Sequence, residues 1–161
     1  FLMGIDKQNF WDENYYKHPP LTAPMLTMAE QTLNVKLPPL YIELLYIQNG
    51  GYTKDFLFPM KVKTSWSENH IPVRELFGIV TDKNINSAQN ILDTPYLISE
   101  WELPEKQILI NGGGSWWITL DYRAGDIPSV RWIDVDYNED IHIANSFEEF
   151  IDGLVLHNEN E

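Results

Sequence analysis

Carboxylates cluster near the end of the chain, and their spacing limits the chemistry that they could perform. Asp121 is followed by the run Asp134-Val135-Asp136-Tyr137-Asn138-Glu139-Asp140. Two carboxylates at a fixed separation, one with a raised pKa, could act as acid and base on a glycosidic bond. Spacing along a chain does not establish that separation. We therefore interpret these residues as a solvated acidic face.

The same run begins like the calcium-binding loop of an EF-hand, at Asp134, Asp136 and Asn138. Such a loop needs glycine at its sixth position for a sharp turn and a bidentate glutamate at its twelfth. Those positions hold Glu139 and Asn145 here. An acidic strand end is the better interpretation, and we predict no calcium site.

Other candidate cofactor sites are also incomplete. The chain has no cysteine, and its histidines lack the i, i+4 pairing of a helical zinc site. These histidines are His18, His70, His142 and His157. The loop Asn111-Gly112-Gly113-Gly114-Ser115 has no lysine to meet a phosphate, so it predicts a β-turn. The sequence predicts no cofactor, no metal and no catalytic residue.

Tryptophans offer a different chemistry, the anchoring of a protein partner. Trp66 lies in the polar segment 64–69, and Trp117 follows Trp116 on a predicted strand. Adjacent strand residues face opposite sides, so at least one of this pair meets the second face of the sheet. A tryptophan at such a position either covers the core or anchors a partner. Both interpretations stay open at the level of the sequence.

The net charge of −13 is unevenly distributed. Residues 81–161 carry 16 acidic and 4 basic side chains, whereas residues 1–80 carry 8 and 7. This field repels phosphate backbones, so nucleic acid is not an expected partner. It attracts basic proteins and speeds their encounter. Acidity that only keeps the domain soluble explains the charge equally well.

Composition predicts one globular domain. The chain has 161 residues, of which 43% are apolar, enough for a sizeable core. No apolar run approaches the ~20 residues of a membrane helix. Phe1-Leu2-Met3 is too short for the core of a signal peptide. We expect a cytoplasmic protein that does not contact membranes.

Helices are predicted mainly in the first half. Residues 5–16 predict a short helix, and Thr22 predicts the N-cap of another that ends near residue 35. The stretch from Leu37-Pro38-Pro39 to Asn49-Gly50-Gly51 predicts a complete helix, with the prolines at its start and the glycines at its end. Residues 85–101 predict helical turns that are interrupted at Thr94-Pro95.

Strands are predicted mainly in the second half. Short strands are expected at residues 56–58 and 77–80, and longer ones at 107–110, 116–122 and 130–136. Ser146 and Glu149 then predict a capping box that opens a last helix.

This order of elements predicts an α+β fold. N-terminal helices would pack with a mainly antiparallel meander sheet and a C-terminal helix. We expect a single domain over residues 1–161, with an aromatic-rich N-terminal extension at 1–19, a core at 20–156 and a frayed tail at 157–161.

Four blocks together resemble the SUKH superfamily. The central one is the helix just described, with its Leu-Pro start and Asn-Gly-Gly stop. The others are a first helix after Pro20-Leu21-Thr22, a glycine-rich turn before Trp117-Ile118-Thr119-Leu120-Asp121, and the closing Ala144-Asn145-Ser146-Phe147-Glu148-Glu149-Phe150. Residues 64–71 and the aromatic pairs Phe10-Trp11 and Tyr15-Tyr16 resemble a bacterial subset of this superfamily.

The resemblance implies a non-catalytic protein-binding module. Bacterial members of the superfamily act as immunity proteins, which bind and neutralise toxins such as nucleases and deaminases. A basic toxin domain would fit the acidic half of the chain. The residues expected to contact it are Trp66, Trp117, Asp134, Asp136, Glu139 and Asp140. A regulatory domain for an endogenous, cell-wall-related partner and a carbohydrate-binding protein remain the alternatives.

Overall fold

The computed structural model describes residues 6–157, in which seven strands divide between two antiparallel sheets. The helices are α1 (Ala23–Leu33), α2 (Pro39–Ile47), α3 (Thr94–Trp101) and α4 (Phe147–Asp152). The strands are β1 (Gly51–Pro59), β2 (His70–Leu76), β3 (Gln107–Gly113), β4 (Trp116–Asp121), β5 (Ser129–Asp134), β6 (Glu139–Ala144) and β7 (Val155–Leu156).

The larger sheet is the predicted meander, in the order β3-β4-β5-β6. Its core face packs against the C-terminal helix, and α2 contacts that helix through the rings of Tyr41 and Phe147, 5.2 Å apart. The predicted α+β class, with N-terminal helices, a meander and a closing helix, is confirmed. The smaller sheet, in the order β2-β1-β7, was not predicted. Its strands come from distant parts of the chain.

Helices α1 and α2 begin where local chemistry predicts and end within two residues of their predicted ends. The Thr22 hydroxyl accepts a hydrogen bond from the Met25 N–H at 3.4 Å, as an N-cap does. Pro39 occupies the first turn of α2, where its missing N–H costs nothing. The backbone of Gln48 is extended and ends this helix.

The C-terminal helix is capped by only half of the predicted capping box. The Ser146 hydroxyl accepts from the Glu149 N–H at 3.1 Å. The Glu149 carboxylate accepts from the N–H of Asn145, at 3.2 Å, instead of that of Ser146. The helix start is therefore confirmed, but the reciprocal bond is shifted by one residue.

The predicted helix at residues 5–16 is wrong over the part that the structure describes. Residue 5 lies outside that part, and only Lys7–Asn9 form a single 3-10 turn. The chain then runs beside β1, where Lys54 N–H donates to Phe10 O and Asp12 N–H donates to Tyr52 O. Tertiary hydrogen bonds to a strand thus override the local helical preference. Of the predicted frayed tail, residues 158–161 also lie outside the described residues.

The three strands predicted after residue 106 are confirmed, with small shifts at their ends. Strand β3 extends to Gly113, so the predicted turn shortens to Gly114 and Ser115. Strand β6 was not predicted, because it is an edge strand with exposed polar residues. Residues 85–90 are not helical, and Pro95 lies in the first turn of α3 instead of interrupting a helix.

The predicted strand at residues 77–80 is wrong, because these buried residues form an irregular segment. The neighbouring strand is β2, which ends just before it. The backbone of this segment bonds mainly to side chains and to isolated backbone groups. The Asn49 side chain, for example, accepts from the Ile79 N–H at 2.8 Å and donates to the Ile79 carbonyl at 2.7 Å.

Two glycines allow this segment to cross the end of α2 at backbone contact distance. A Cβ on Gly50 would lie 2.7 Å from the Gly78 Cα, and a Cβ on Gly78 would lie 2.7 Å from the Asn49 carbonyl carbon. Gly50 also has φ +83°, in the left-handed region. The Asn-Gly-Gly sequence therefore serves a long-range contact as well as the end of the helix.

Replacing Gly78 tests this crossing. We expect Gly78→Ala to lower the free energy of unfolding by about 2 kcal/mol or more, because the new methyl group meets backbone that cannot move aside. Gly113→Ala is the matched control, since a Cβ there meets nothing within 4 Å. It should stay within about 0.5 kcal/mol of the wild type in urea denaturation. Equal stability of the two variants would contradict the steric argument.

Candidate protein-binding surface

The segment between β1 and β2 is fastened to the meander sheet through Ser65. The Ser65 hydroxyl donates to the Asp134 carboxylate at 2.5 Å, and the Ser65 N–H donates to Glu139 Oε1 at 2.9 Å. One residue earlier, the Thr64 hydroxyl accepts from the Trp66 N–H at 3.1 Å. These bonds fix both the position of this segment on the sheet and its local conformation.

These hydrogen bonds place Trp66 on a stack of tryptophan rings. The Trp66 and Trp116 rings pack in a T-shaped arrangement with 5.7 Å between centroids, and Trp116 stacks on Trp132 at 4.8 Å. Trp132 is fully buried, and its indole N–H donates to Glu139 Oε1 at 3.0 Å. Trp66 remains 44% exposed. An accessible tryptophan is therefore supported from below by a rigid aromatic core.

The turn between β5 and β6 is flanked by Asp134 and Glu139, the two residues that bond to Ser65, the neighbour of Trp66 in the chain. Its Asp136 N–H donates to Asp134 Oδ1 at 3.0 Å, while Ser65 occupies the other oxygen of the same carboxylate. Asp136 is exposed and Tyr137 is 69% exposed. We call the group formed by Trp66, Asp136 and Tyr137 the Trp66 surface. Its two aromatic side chains are of the types enriched at interface centres, and its carboxylate is of the type found at the polar rim.

The six residues predicted to bind a partner have four different environments. Trp66 and Asp136 are accessible. Asp134 is 3% exposed and Trp117 is 4% exposed, so neither presents appreciable surface. Glu139 is half-buried and holds Ser65 and Trp132.

The sixth residue, Asp140, belongs to an ionic network on the other face of the sheet. Its carboxylate lies 3.0 Å from the Arg123 guanidinium and 2.5 Å from that of Arg131. Asp121 also binds Arg123, at 2.9 Å, and accepts from the buried side chain of Gln107 at 2.7 Å. The charge of Asp140 is therefore already compensated within the domain.

Both carboxyls in this network have lowered pKa values. Partial burial acts to raise the pKa of Asp121, but hydrogen bonds from Arg123 and Gln107 and the charge of Arg123 outweigh it. For Asp140, burial again acts to raise the pKa, but the hydrogen bonds and charges of Arg123 and Arg131 outweigh it and lower the pKa. Both groups therefore stay ionised below the usual range for aspartate.

Sequence reasoning missed Ser65, Trp116 and Tyr137 as parts of this site. Tyr137 could have been found, because a tyrosine in an acidic turn between two strands is normally exposed. Trp116 was placed on the correct strand, but its stacking depends on Trp132 in the next strand. For Ser65, the block at residues 64–71 does not indicate this role, since the role depends on two carboxylates about 70 positions away along the chain.

Candidate metal ligands do not assemble in the described part of the chain. No group of three histidine or acidic side chains within residues 6–157 is arranged to hold a metal ion. His18 contacts the Asn49 carbonyl and Ser87, and His70 contacts Ser67 and Asn69. No helix in this range is long and apolar enough to cross a bilayer.

An α+β fold that presents a supported aromatic and acidic surface is typical of a protein-binding domain. A model of the SMI1 / KNR4 family (SUKH-1) matches residues 20–153, so the chain belongs to this family. The family includes immunity proteins and Smi1/Knr4 regulators, and its members generally bind proteins and are not catalytic. A search of curated proteins finds no match.

Removing the Ser65 hydroxyl tests how the Trp66 surface is supported. We expect Ser65→Ala to lower the free energy of unfolding by about 1–3 kcal/mol, because it leaves the buried Asp134 carboxylate with one hydrogen bond fewer. Trp66 should loosen from Trp116, which would shift tryptophan fluorescence to longer wavelength. Ser67→Ala, in the same segment, is the control and should keep the wild-type emission. An unchanged spectrum for Ser65→Ala would contradict the assigned support.

The ionic network predicts a loss of stability in acid. A carboxyl whose pKa is lower in the folded state stabilises the fold fully above its unfolded pKa of about 3.9. That contribution is lost as the pH falls through the lowered folded value. Asp121→Asn should therefore lose less unfolding free energy than the wild type between about pH 6 and pH 3. Equal losses in the two proteins would contradict the prediction.

Proposed function

We propose that this protein is an immunity protein that neutralises a toxin domain by direct binding, without catalysis. The single observation that carries the proposal is the Trp66 surface, where the accessible Trp66 is positioned by the bonds of its neighbour Ser65 to both ends of the exposed acidic turn. Membership of a family that includes immunity proteins supports it. The proposal includes a cytoplasmic location and a bacterial source.

The rigidity of Trp66 favours tight binding. A side chain that is already ordered loses little conformational entropy when a partner covers it. Here Ser65 and Thr64 hold the backbone of the segment, and Trp116 supports the ring. We propose that Trp66 and Tyr137 form the desolvated centre of the interface, and that Asp136 lies at its rim.

The partner that fits this surface is a basic protein domain, such as a nuclease or deaminase toxin. The net charge of −13 would steer a basic domain toward this protein and would repel nucleic acid. Asp136 would meet a lysine or arginine of the partner. Asp134 and Glu139 would act indirectly, by supporting the surface from within, whereas the buried Trp117, on the opposite face of β4, would contribute only to the core. Asp140 would contribute only a long-range electrostatic effect, because its charge is already paired with Arg123 and Arg131.

A regulatory domain for an endogenous partner is the second candidate, because the same family includes the Smi1/Knr4 regulators. The same surface could serve either function, and the identity of the partner distinguishes them. Carbohydrate binding is less well supported, because Trp132 is buried and Trp116 is covered by Trp66. Asp121 and Asp134 also lie on opposite faces of the sheet, so their carboxylates cannot act together on one glycosidic bond.

The test is co-expression with the C-terminal domain of a toxin encoded beside this gene. We expect the wild type to bind that domain and to rescue growth. Trp66→Ala should weaken binding by about 2 kcal/mol or more, since it removes the proposed centre of the interface. Isothermal titration calorimetry measures the affinity, and colony counts measure the rescue.

Trp101→Ala is the matched control, because Trp101 is also partly exposed but lies on α3, outside the Trp66 surface. It should bind and rescue like the wild type. Equal weakening by both substitutions would argue against the Trp66 surface. Failure of the wild type to bind the neighbouring toxin domain would refute the immunity function for that pair and favour the regulatory candidate.

A further inference from the structure

A second aromatic cluster lies on the smaller sheet, away from the tryptophan stack in both sequence and contacts. Tyr15 and Tyr16, from the N-terminal segment, pack against Tyr52 at the start of β1, with ring centroids 5.2–5.8 Å apart. Tyr15 is 65% exposed and Tyr52 is 40% exposed. We call these three residues the tyrosine cluster. Apolar rings that are ordered and accessible in this way are common at binding sites.

A carboxylate without a cationic partner lies directly beside the tyrosine cluster. Glu75 on β2 is paired with Tyr52 across the strands, so their side chains are neighbours on one face. Its two oxygens accept from neutral donors only, the side-chain amide of Gln89 and the N–H of Gly112 at 3.2 Å. No lysine, arginine or histidine among the described residues forms an ion pair with Glu75. A half-buried negative charge therefore remains uncompensated.

The field of this carboxylate reaches the tyrosine hydroxyls. The pKa of Tyr16 is raised to about 12, first by its hydrogen bond with Tyr52, then by burial, and further by the charges of Tyr52 and Glu75, against a smaller lowering by the side-chain amide of Gln89. The Tyr16 hydroxyl therefore stays protonated and donates to the Tyr52 oxygen at 3.3 Å. A negative potential at the cluster disfavours a further negative charge and favours a positive one.

Gln89 adds an unused hydrogen-bond acceptor. Its Nε2 faces the Glu75 carboxylate, which can only accept, so the orientation of the amide is determined. Its Oε1 is then buried without a hydrogen-bond partner among the described residues. A buried acceptor without a donor is unfavourable, and a site that supplies a donor would relieve the cost.

From these observations we propose that the tyrosine cluster, with Glu75 and Gln89, binds the guanidinium group of an arginine side chain from a protein partner. The rings offer π-faces to a cation, Glu75 offers an opposite charge, and Gln89 offers an acceptor to an N–H donor. Arginine fits better than lysine, because its planar group stacks on aromatic rings and is more weakly hydrated. The site is independent of the Trp66 surface and of the identity of the partner.

The probe for this site is Nα-acetyl-L-arginine amide, added to the whole protein and followed by two-dimensional NMR. We expect saturable shifts centred on the Gln89 side-chain amide and the rings of the tyrosine cluster. Nα-acetyl-L-citrulline amide is nearly identical in shape but neutral, and it should cause much smaller shifts. Equal shifts from the two compounds, or shifts spread over the whole acidic surface, would overturn the proposal.

A pair of substitutions separates this site from general attraction to an acidic protein. Tyr15→Ala removes an exposed ring of the cluster and should weaken binding of the arginine probe about two- to fivefold, the range of an exposed cation–π contact. Tyr96→Ala removes a ring of similar exposure from α3, outside both aromatic surfaces, and should leave that affinity unchanged. Glu75→Gln should reduce binding further while keeping an acceptor for the Gln89 amide. Equal affinity of the Tyr15→Ala variant and the wild type would overturn the assignment.

Discussion

Residues 77–80 lie in the middle of the fold without belonging to a strand, and all of their backbone groups need hydrogen-bond partners. Every one has a partner. Phe77 donates to Ile110 and accepts from the Tyr41 hydroxyl, and Gly78 exchanges bonds with residues 89 and 91. The side chains of Asn49 and Asn90 each bind both backbone groups of one residue, Ile79 and Val80 respectively. This segment thereby joins α2, the meander sheet and the chain before α3, and the two sheets are held together around it.

The same physical requirement organises the Trp66 surface. Asp134 is buried without a cationic partner among the described residues, so its oxygens must be satisfied by neutral donors. The Ser65 hydroxyl and the Asp136 N–H supply them. Because each donor belongs to a different exposed segment, one buried carboxylate positions both sides of the surface. The exposed residues are thus ordered by a polar group that itself has little access to solvent.

The acidity of the chain is divided between structure and recognition. Asp121 and Asp140 are paired with arginines on one face of the meander sheet, and these pairs rigidify the sheet. Asp136 and Glu75 have no ion pair among the described residues and lie beside exposed aromatic rings. Net charge therefore overstates the number of carboxylates that are free to meet a partner. The local environment of each carboxylate decides its role.

The sequence by itself determined the class of fold, the ends of α1 and α2, the strands of the meander and the excess of acidic residues. These features follow from local signals, such as proline at a helix start, an N-cap hydroxyl or alternation along a strand. Only the tertiary structure decided that residues 77–80 are irregular, that the N-terminal segment runs beside β1, and which predicted contact residues are accessible. Trp117 and Asp134 are buried, while Trp66 and Asp136 are not. The reason is physical. Burial and hydrogen bonding depend on partners that are distant in the chain, and no local sequence pattern identifies those partners.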